Sequence, residues 1–209
     1  MARIIFYHSP NTRSVGTRIL LEELGAPYEI KVLNMKAGEQ RQAEYLAINP
    51  MGKVPAIRHG DALITEQVAI FIYLADLFPK AGLAPAIGDP QRGPYLRWMA
   101  YYGSCVEPAV VDKAMKRDPA PLATSPYGDY DTMLKTLVDL LAVGPYVLGA
   151  RFSAVDILLG TALTWITNFE LIPKLPAIVE YIGRVNARPS VAKIKALDAE
   201  LAAQQAAQS

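Results

Sequence analysis

The chain has 209 residues, a formal net charge of +1, and a composition that is 52% hydrophobic and 20% charged. This is the balance of a soluble globular protein with material for one domain or two small ones, and it provides no basic surface for nucleic acid. One cysteine (Cys105) and two histidines (His8 and His59) exclude an internal disulfide and a multi-cysteine or histidine-rich metal site, so the expected metal set is none. The longest uncharged run, residues 157–169, falls short of the ~20 residues of a membrane span, so no membrane partner and a cytoplasmic setting are expected.

The first residues alternate between strand and helix patterns. Ile4-Ile5-Phe6-Tyr7 is a short apolar run stopped by Ser9-Pro10-Asn11, and predicts a strand followed by a loop. Ile19, Leu20, Leu21 and Leu24 recur at helical spacing and Gly25 supplies the stop. Tyr28–Leu33 alternates as a second strand, and residues 36–47 predict a loop and a short helix. Val54–Arg58 and Ala62–Ile64 flank His59-Gly60-Asp61, a hairpin signal. Thr65 then opens a helix carrying Ile70, Phe71, Leu74, Leu77 and Phe78. A helical crossover makes the first two strands parallel, whereas the hairpin is antiparallel. The order βαβ-α-ββα predicts a thioredoxin-like domain over residues 1–79.

Residues 80–88 form the expected linker, and 89–209 predict an all-helical domain. One long helix runs from Tyr95 to about Lys116 with a bend at Pro108, and others cover about 127–141, 174–187 and 190–204. Phe152-Ser153-Ala154-Val155-Asp156-Ile157 is a helix start in which Ser153 caps, Asp156 reaches back and Phe152 staples onto Ile157. The helix that it opens is apolar nearly all round and is expected to be buried. The tail from Ala202 to Ser209 is expected to fray.

The run Asn49-Pro50-Met51-Gly52-Lys53-Val54-Pro55-Ala56-Ile57 stands out. A proline heading a strand removes a ladder donor, and a cis bond before it would leave the Val54 backbone free for an extended, peptide-like ligand. Together with Thr65-Glu66-Gln67 and the Phe152–Asp156 helix start, in this order and spacing, the chain resembles the cytosolic glutathione S-transferases. The loop Ser9-Pro10-Asn11 is similar to the bacterial nu and the theta and delta-like patterns. The resemblance implies an α/β thioredoxin-like domain plus an all-α C-terminal domain. It also implies a homodimer, and glutathione as co-substrate with no further cofactor.

The resemblance assigns the thiol-activating loop to Ser9, with Asn11 second and Thr12 and Tyr7 as rivals. A thiol is a nucleophile only as thiolate, and hydrogen-bond donation to sulfur lowers its pKa. With Thr65 as N-cap, Glu66 and Gln67 fall in the first helical turn, where free N–H groups and the Gln67 side-chain amide would hold the γ-glutamyl carboxylate and Glu66 meets the ammonium. Val54 and Pro55 would pair with the cysteinyl unit, and Lys53 and Gln40 with the glycine carboxylate. Trp98, Tyr101, Tyr102, Cys105 and Trp165, with Phe169, are candidates for an apolar second-substrate pocket between the domains, taking a small hydrophobic electrophile or peroxide. Cys105 otherwise reads as inert core and Asp156 as a cap. The alternatives are a specialised glutathione-dependent isomerase, etherase or dehalogenase, and a non-catalytic binding or regulatory module.

Overall fold

The computed structural model describes residues 2–207. In β1 (Ile4–His8) residues Ile4, Phe6 and His8 are buried while Ile5 and Tyr7 are half-exposed, the period of two that a strand imposes. β1 pairs in parallel with β2 (Tyr28–Val32) from Ile4↔Tyr28 to His8↔Val32, and antiparallel with β3 (Ala56–His59) from Ile4↔His59 to Tyr7↔Ala56. β4 (Ala62–Ile64) completes the hairpin, giving the strand order β2-β1-β3-β4. Both expected pairings are present. β3 begins at Ala56 and not at Val54; Pro55 has no N–H to give to a ladder, and the Val54–Pro55 peptide bond is cis.

α1 (Ser14–Glu23) is the crossover between the parallel strands and buries Ile19, Leu20 and Leu21. It stops where expected. Gly25 takes φ +60°, and the Gly25 and Ala26 N–H groups return to the Glu22 and Leu21 carbonyls at 3.1 and 3.0 Å, which satisfies the last helical acceptors. After the short α2 (Ala43–Leu46), α3 (Gln67–Leu77) buries Ile70, Phe71, Leu74 and Ala75.

The chain forms two compact units, one from the segment up to Ala81 together with that from Arg188 onward, the other Gly82–Ala187. The last helix therefore joins the first unit, although the pattern reading assigned all of residues 89–209 to one helical domain. That helix is α9 in the numbering used here (Pro189–Ala207), and it packs against α1. Arg188 and Ser190 bind Glu23, Lys193 meets Glu22 at 2.6 Å, and Asp198 meets His8 at 2.7 Å. Gln205 Nε2 donates to the Leu33 carbonyl at 3.1 Å. Instead of fraying from Ala202, α9 is helical through Ala207; Gln208 and Ser209 lie outside the described residues.

In the second unit, the long helix expected over residues 95–116 is split in three. α4 (Arg92–Tyr101) passes through a π-helical turn, Tyr102–Val106, into α5 (Glu107–Ala114). Pro108 lacks the N–H that would bond the Ser104 carbonyl and its ring crowds that oxygen, so the turn before it widens. α6 (Tyr130–Val143) is capped by Asp129, which accepts the Thr132 N–H at 2.7 Å.

α7 (Ala154–Asn168) opens with the expected capping box, and Ile157, Leu158, Leu159, Leu163 and Ile166 are buried. Asp156 receives the Ser153 N–H and Oγ–H, both at 2.9 Å, the Val147 N–H at 2.8 Å and the Tyr181 hydroxyl at 3.1 Å. Burial pushes this carboxyl up from its ordinary range, and the four hydrogen bonds draw it part of the way back. Asp156 is a cap and a hub of the fold. The Phe152 ring packs against Tyr146, with centroids 5.2 Å apart. α8 (Pro176–Asn186) crosses α7 where Gly160 leaves room for Val185.

Candidate functional site

Strand polarity gathers the candidate residues at one end of the sheet. β1 and β2 finish there, β3 starts there, and β4 finishes there. Ser9 and Asn11 follow β1, Gln40 follows β2, Val54 and Pro55 precede β3, and Glu66 and Gln67 follow β4. Continuing the β1/β3 register past Tyr7↔Ala56 sets Pro55 abreast of His8 and Val54 abreast of Ser9. The carboxyl ends of parallel strands are where open α/β sheets bind ligands, because the loops there are free to diverge.

The turn before β3 is built by Asn49, which is 3% exposed. Its Oδ1 accepts the Met51 N–H at 3.1 Å, and its Nδ2 donates to the Lys53 carbonyl at 2.9 Å. The Tyr45 hydroxyl donates to the same carbonyl at 2.6 Å; burial pushes that phenol above its ordinary range, and the neighbouring Tyr7 adds to the shift. Gly52, at φ +61°, comes so close to the second loop that a Cβ there would lie 2.8 Å from the Gln40 carbonyl oxygen. Gln40 and Lys53 therefore share one corner, with the Lys53 side chain exposed, Val54 half-buried and Pro55 buried.

The start of α3 differs from expectation. Glu66, not Thr65, is the N-cap, at φ 62° and ψ 115°, and Gln67 is the first helical residue. No side chain caps this end, so first-turn N–H groups stay available to a ligand. Glu66 is exposed in a backbone region that disfavours side chains; such strain collects at ligand sites. Gln67 Nε2 donates to the Arg13 carbonyl at 2.9 Å and thereby ties α3 to the β1–α1 loop. The Oε1 atoms of Gln67 and Gln40 are buried acceptors with no protein hydrogen-bond partner.

The β1–α1 loop holds a polar network that pattern reading missed. Ser14 Oγ lies 2.8 Å from His8 Nδ1, and Asp198 Oδ1 lies 2.7 Å from His8 Nε2. Ser14 Oγ also accepts the Ser9 N–H at 3.2 Å, and Thr12 Oγ1 donates to the Ser9 carbonyl at 2.7 Å. Asp198 Oδ2 accepts the Asn11 N–H at 3.1 Å, and Arg18 Nη1 stands 3.6 Å from Asp198 Oδ1. When His8 donates Nε2–H to Asp198, its Nδ1 is left to accept from the Ser14 hydroxyl, whose oxygen also lies 2.7 Å from Thr12 Oγ1 and 3.1 Å from the Ser9 carbonyl. Ser9 is 2% exposed, whereas Asn11 is exposed and left-handed at φ 56°. Tyr7 packs its ring on Tyr45 with centroids 5.8 Å apart.

Two signals could have found this network. His8 continues the inward series of Ile4 and Phe6, and Asp198 continues the stripe of Val191 and Ile194, where an acid is out of place unless partnered.

The second-substrate candidates in the helical unit are not equivalent. Trp98 and Tyr102 are buried, and the Tyr102 hydroxyl is bonded to Glu107. Tyr101 is half-buried and donates to the Met133 carbonyl at 2.8 Å; burial pushes its phenol up. Cys105 is half-buried in the π turn, with Sγ 3.7 Å from the Pro126 carbonyl, so it is not the core thiol expected. Trp165 is 41% exposed and packs at a tilt of 54° against exposed Phe169, with centroids 4.3 Å apart.

Comparison with known proteins bears on this geometry. A model of the glutathione S-transferase N-terminal domain matches residues 2–76. Glutathione S-transferase GstA of Escherichia coli O157:H7 is 27% identical over 188 residues, which cover 88% of this chain and 94% of that protein. Among solved structures, a glutathione transferase from Methylococcus capsulatus aligns with TM-score 0.80 and 30% identity, covering 94% of this chain and 98% of the other. A glutathione transferase homologue from Sulfitobacter, with bound glutathione, aligns with TM-score 0.76 and 32% identity at the same coverage. No helix among the described residues is long and apolar enough to cross a membrane.

Proposed function

The chain belongs to the glutathione S-transferase family, and from that premise we propose that its first unit binds glutathione at the strand-end cluster and activates the thiol as thiolate. The observation that carries the reading is the convergence of eight residues from four loops on one end of the sheet. Glu66 takes the γ-glutamyl ammonium, with the unpartnered Gln67 Oε1 beside it as a further acceptor. The uncapped start of α3 receives the γ-glutamyl carboxylate, as helix N-termini receive anions. Val54 and Pro55 present backbone to the cysteinyl unit, and Lys53 and Gln40 form the corner for the glycine carboxylate.

Ser9 Oγ and Asn11 Nδ2 are the proposed donors to sulfur. Holding a thiol of pKa ~8.5 about two units lower takes ~2.7 kcal/mol of preferential thiolate stabilisation, within the reach of two donors beside a helix start. The thiol proton leaves to solvent and the thiolate attacks an electrophilic carbon, expelling its leaving group, or the terminal oxygen of a hydroperoxide, breaking the O–O bond and releasing the alcohol. A second glutathione then converts the resulting sulfenic acid to glutathione disulfide and water. A cytoplasmic homodimer and a small hydrophobic electrophile or organic hydroperoxide complete the reading.

The test is conjugation of a chlorinated nitroarene, run beside hydroperoxide reduction and retention on immobilised glutathione. Ser9→Ala and Asn11→Ala are each expected to lower kcat about tenfold, and the double variant about a hundredfold, with glutathione binding largely kept. A double variant that turns over like wild type refutes the donor assignment. A wild type that neither binds glutathione nor turns over favours the non-catalytic module instead.

A further inference from the structure

Asp198 sits on the last helix of the chain and faces the loop to which the thiol chemistry is assigned. Its two oxygens take separate partners on that loop. Oδ1 receives His8 Nε2–H at 2.7 Å, at the last residue of β1, and Oδ2 receives the Asn11 backbone N–H at 3.1 Å. Ser9 and Pro10 lie between these two points. The carboxylate is 6% exposed, and Arg18, 3.6 Å from Oδ1, supplies the compensating charge that a buried anion needs.

Asn11 gains most from this clamp. At φ 56° it occupies the left-handed region, which a residue other than glycine holds only when its surroundings compel it. The hydrogen bond from its own N–H to Asp198 is such a constraint, and it leaves the Asn11 side chain exposed. On the other side of the loop, Ser14 Oγ and Thr12 Oγ1 hold the Ser9 N–H and carbonyl, and Ser14 is locked in turn by His8. The path from Asp198 through His8 and Ser14 to Ser9 is hydrogen-bonded throughout.

We propose that Asp198 is a positioning residue for the thiol site, fixing Ser9 and Asn11 from the far end of the chain. This rests on the reading of the Ser9–Asn11 loop as the one that meets the glutathione sulfur. α9 is fixed on both sides of Asp198, by Arg188 and Ser190 on Glu23 before it and by Gln205 on the Leu33 carbonyl after it. The carboxylate is therefore delivered by a braced helix and not by a loose tail. Donors held within a fraction of an ångström of the sulfur can stabilise a thiolate; donors on a loop free to relax from φ 56° cannot.

The experiment compares wild type with Asp198→Asn in two independent measurements. The first is amide hydrogen exchange at Asn11 without glutathione, where at least tenfold faster exchange is expected on losing a full carboxylate acceptor. The second is titration with glutathione at neutral pH, following affinity and the ultraviolet absorbance of the bound thiolate, alongside steady-state kinetics. Affinity is expected to stay within about threefold, while thiolate fraction and kcat fall about tenfold or more. A merely structural residue would lower melting temperature, or weaken affinity and turnover together, without that split. If Asp198→Asn does not fold, Asp198→Glu serves: it keeps the charge, cannot hold both contacts, and is expected to shift both readouts in the same direction. Unchanged Asn11 exchange overturns the clamp, and altered exchange with unchanged thiolate fraction and kcat overturns its role in the chemistry. A wild type that shows no bound thiolate refutes the reading of the loop, while the exchange measurement still decides the clamp.

Discussion

Arg188 Nε and Nη2 donate to the two carboxylate oxygens of Glu23 at 2.7 Å each, a bidentate pair closed across 165 residues of sequence. Ser190 Oγ adds a third donor. Burial alone would raise the Glu23 pKa; the bonds from Arg188 and Ser190 and the guanidinium charge outweigh it and hold the carboxyl below its ordinary 4.5. In acid the unfolded chain therefore takes up this proton before the folded one does. The stabilisation is complete above about pH 4.5 and is lost as pH falls toward the depressed folded value. Glu23→Gln should cost about 1–2 kcal/mol near neutrality, and that cost should shrink between about pH 5 and pH 3. Denaturant titrations of both proteins across that range check the expectation, and a cost independent of pH would contradict it.

The contact between α7 and α8 makes a sharper demand on size. A Cβ on Gly160 would lie 2.7 Å from both γ carbons of Val185 and 2.8 Å from its Cβ. Alanine is favoured over glycine in a helix by up to ~1 kcal/mol, but forcing a methyl into a packed contact costs about 1–3 kcal/mol. Gly160→Ala should therefore lower stability by roughly 1–2 kcal/mol despite its better propensity. Val185→Ala added to it should return part of the loss, because the two changes share one space. Thermal melts of the two single variants and the pair settle it; a stabilised Gly160→Ala would mean the helices have room to part.

What the sequence disclosed depended on the range of the interaction. The β1 strand with the loop that stops it, the Gly25 stop and the capping box of Ser153 and Asp156 depend on residues close in sequence, and each was legible. Local pattern also brought out the Val54–Pro55 step, since a proline there interrupts a strand, whereas Glu66 was singled out by the resemblance and not by the pattern of its own segment. The pairing of Glu23 with Arg188 was not legible, and sequence pattern could mark His8 and Asp198 as inward polar residues in need of partners without saying that they partner each other across 190 residues. For the same reason, no local feature marked the packing of α9 against α1. The cap of α3 was misjudged for a different reason. Thr65 is the better capping residue by propensity, and the positive φ of Glu66 shifts the helix start by one position.

Glu66 itself sets stability against binding. At φ 62° and ψ 115° it holds a conformation natural to glycine, and strain of this kind costs about 1–3 kcal/mol. Glycine at the same position would remove the strain but give up ~0.5–1 kcal/mol to the greater freedom of the unfolded chain. Glu66→Gly should therefore stabilise the ligand-free protein by about 1 kcal/mol. It should also weaken glutathione binding about tenfold or more, by deleting the carboxylate assigned to the γ-glutamyl ammonium. Glu66→Gln separates the two effects, since it keeps the strained backbone and loses only the charge. It should bind glutathione about as weakly as Glu66→Gly while gaining no stability. Calorimetric titration with glutathione, paired with denaturant unfolding of the free proteins, measures both quantities. If Glu66→Gly is less stable than wild type, the backbone at Glu66 is not strained; if both variants bind like wild type, the ammonium lies elsewhere.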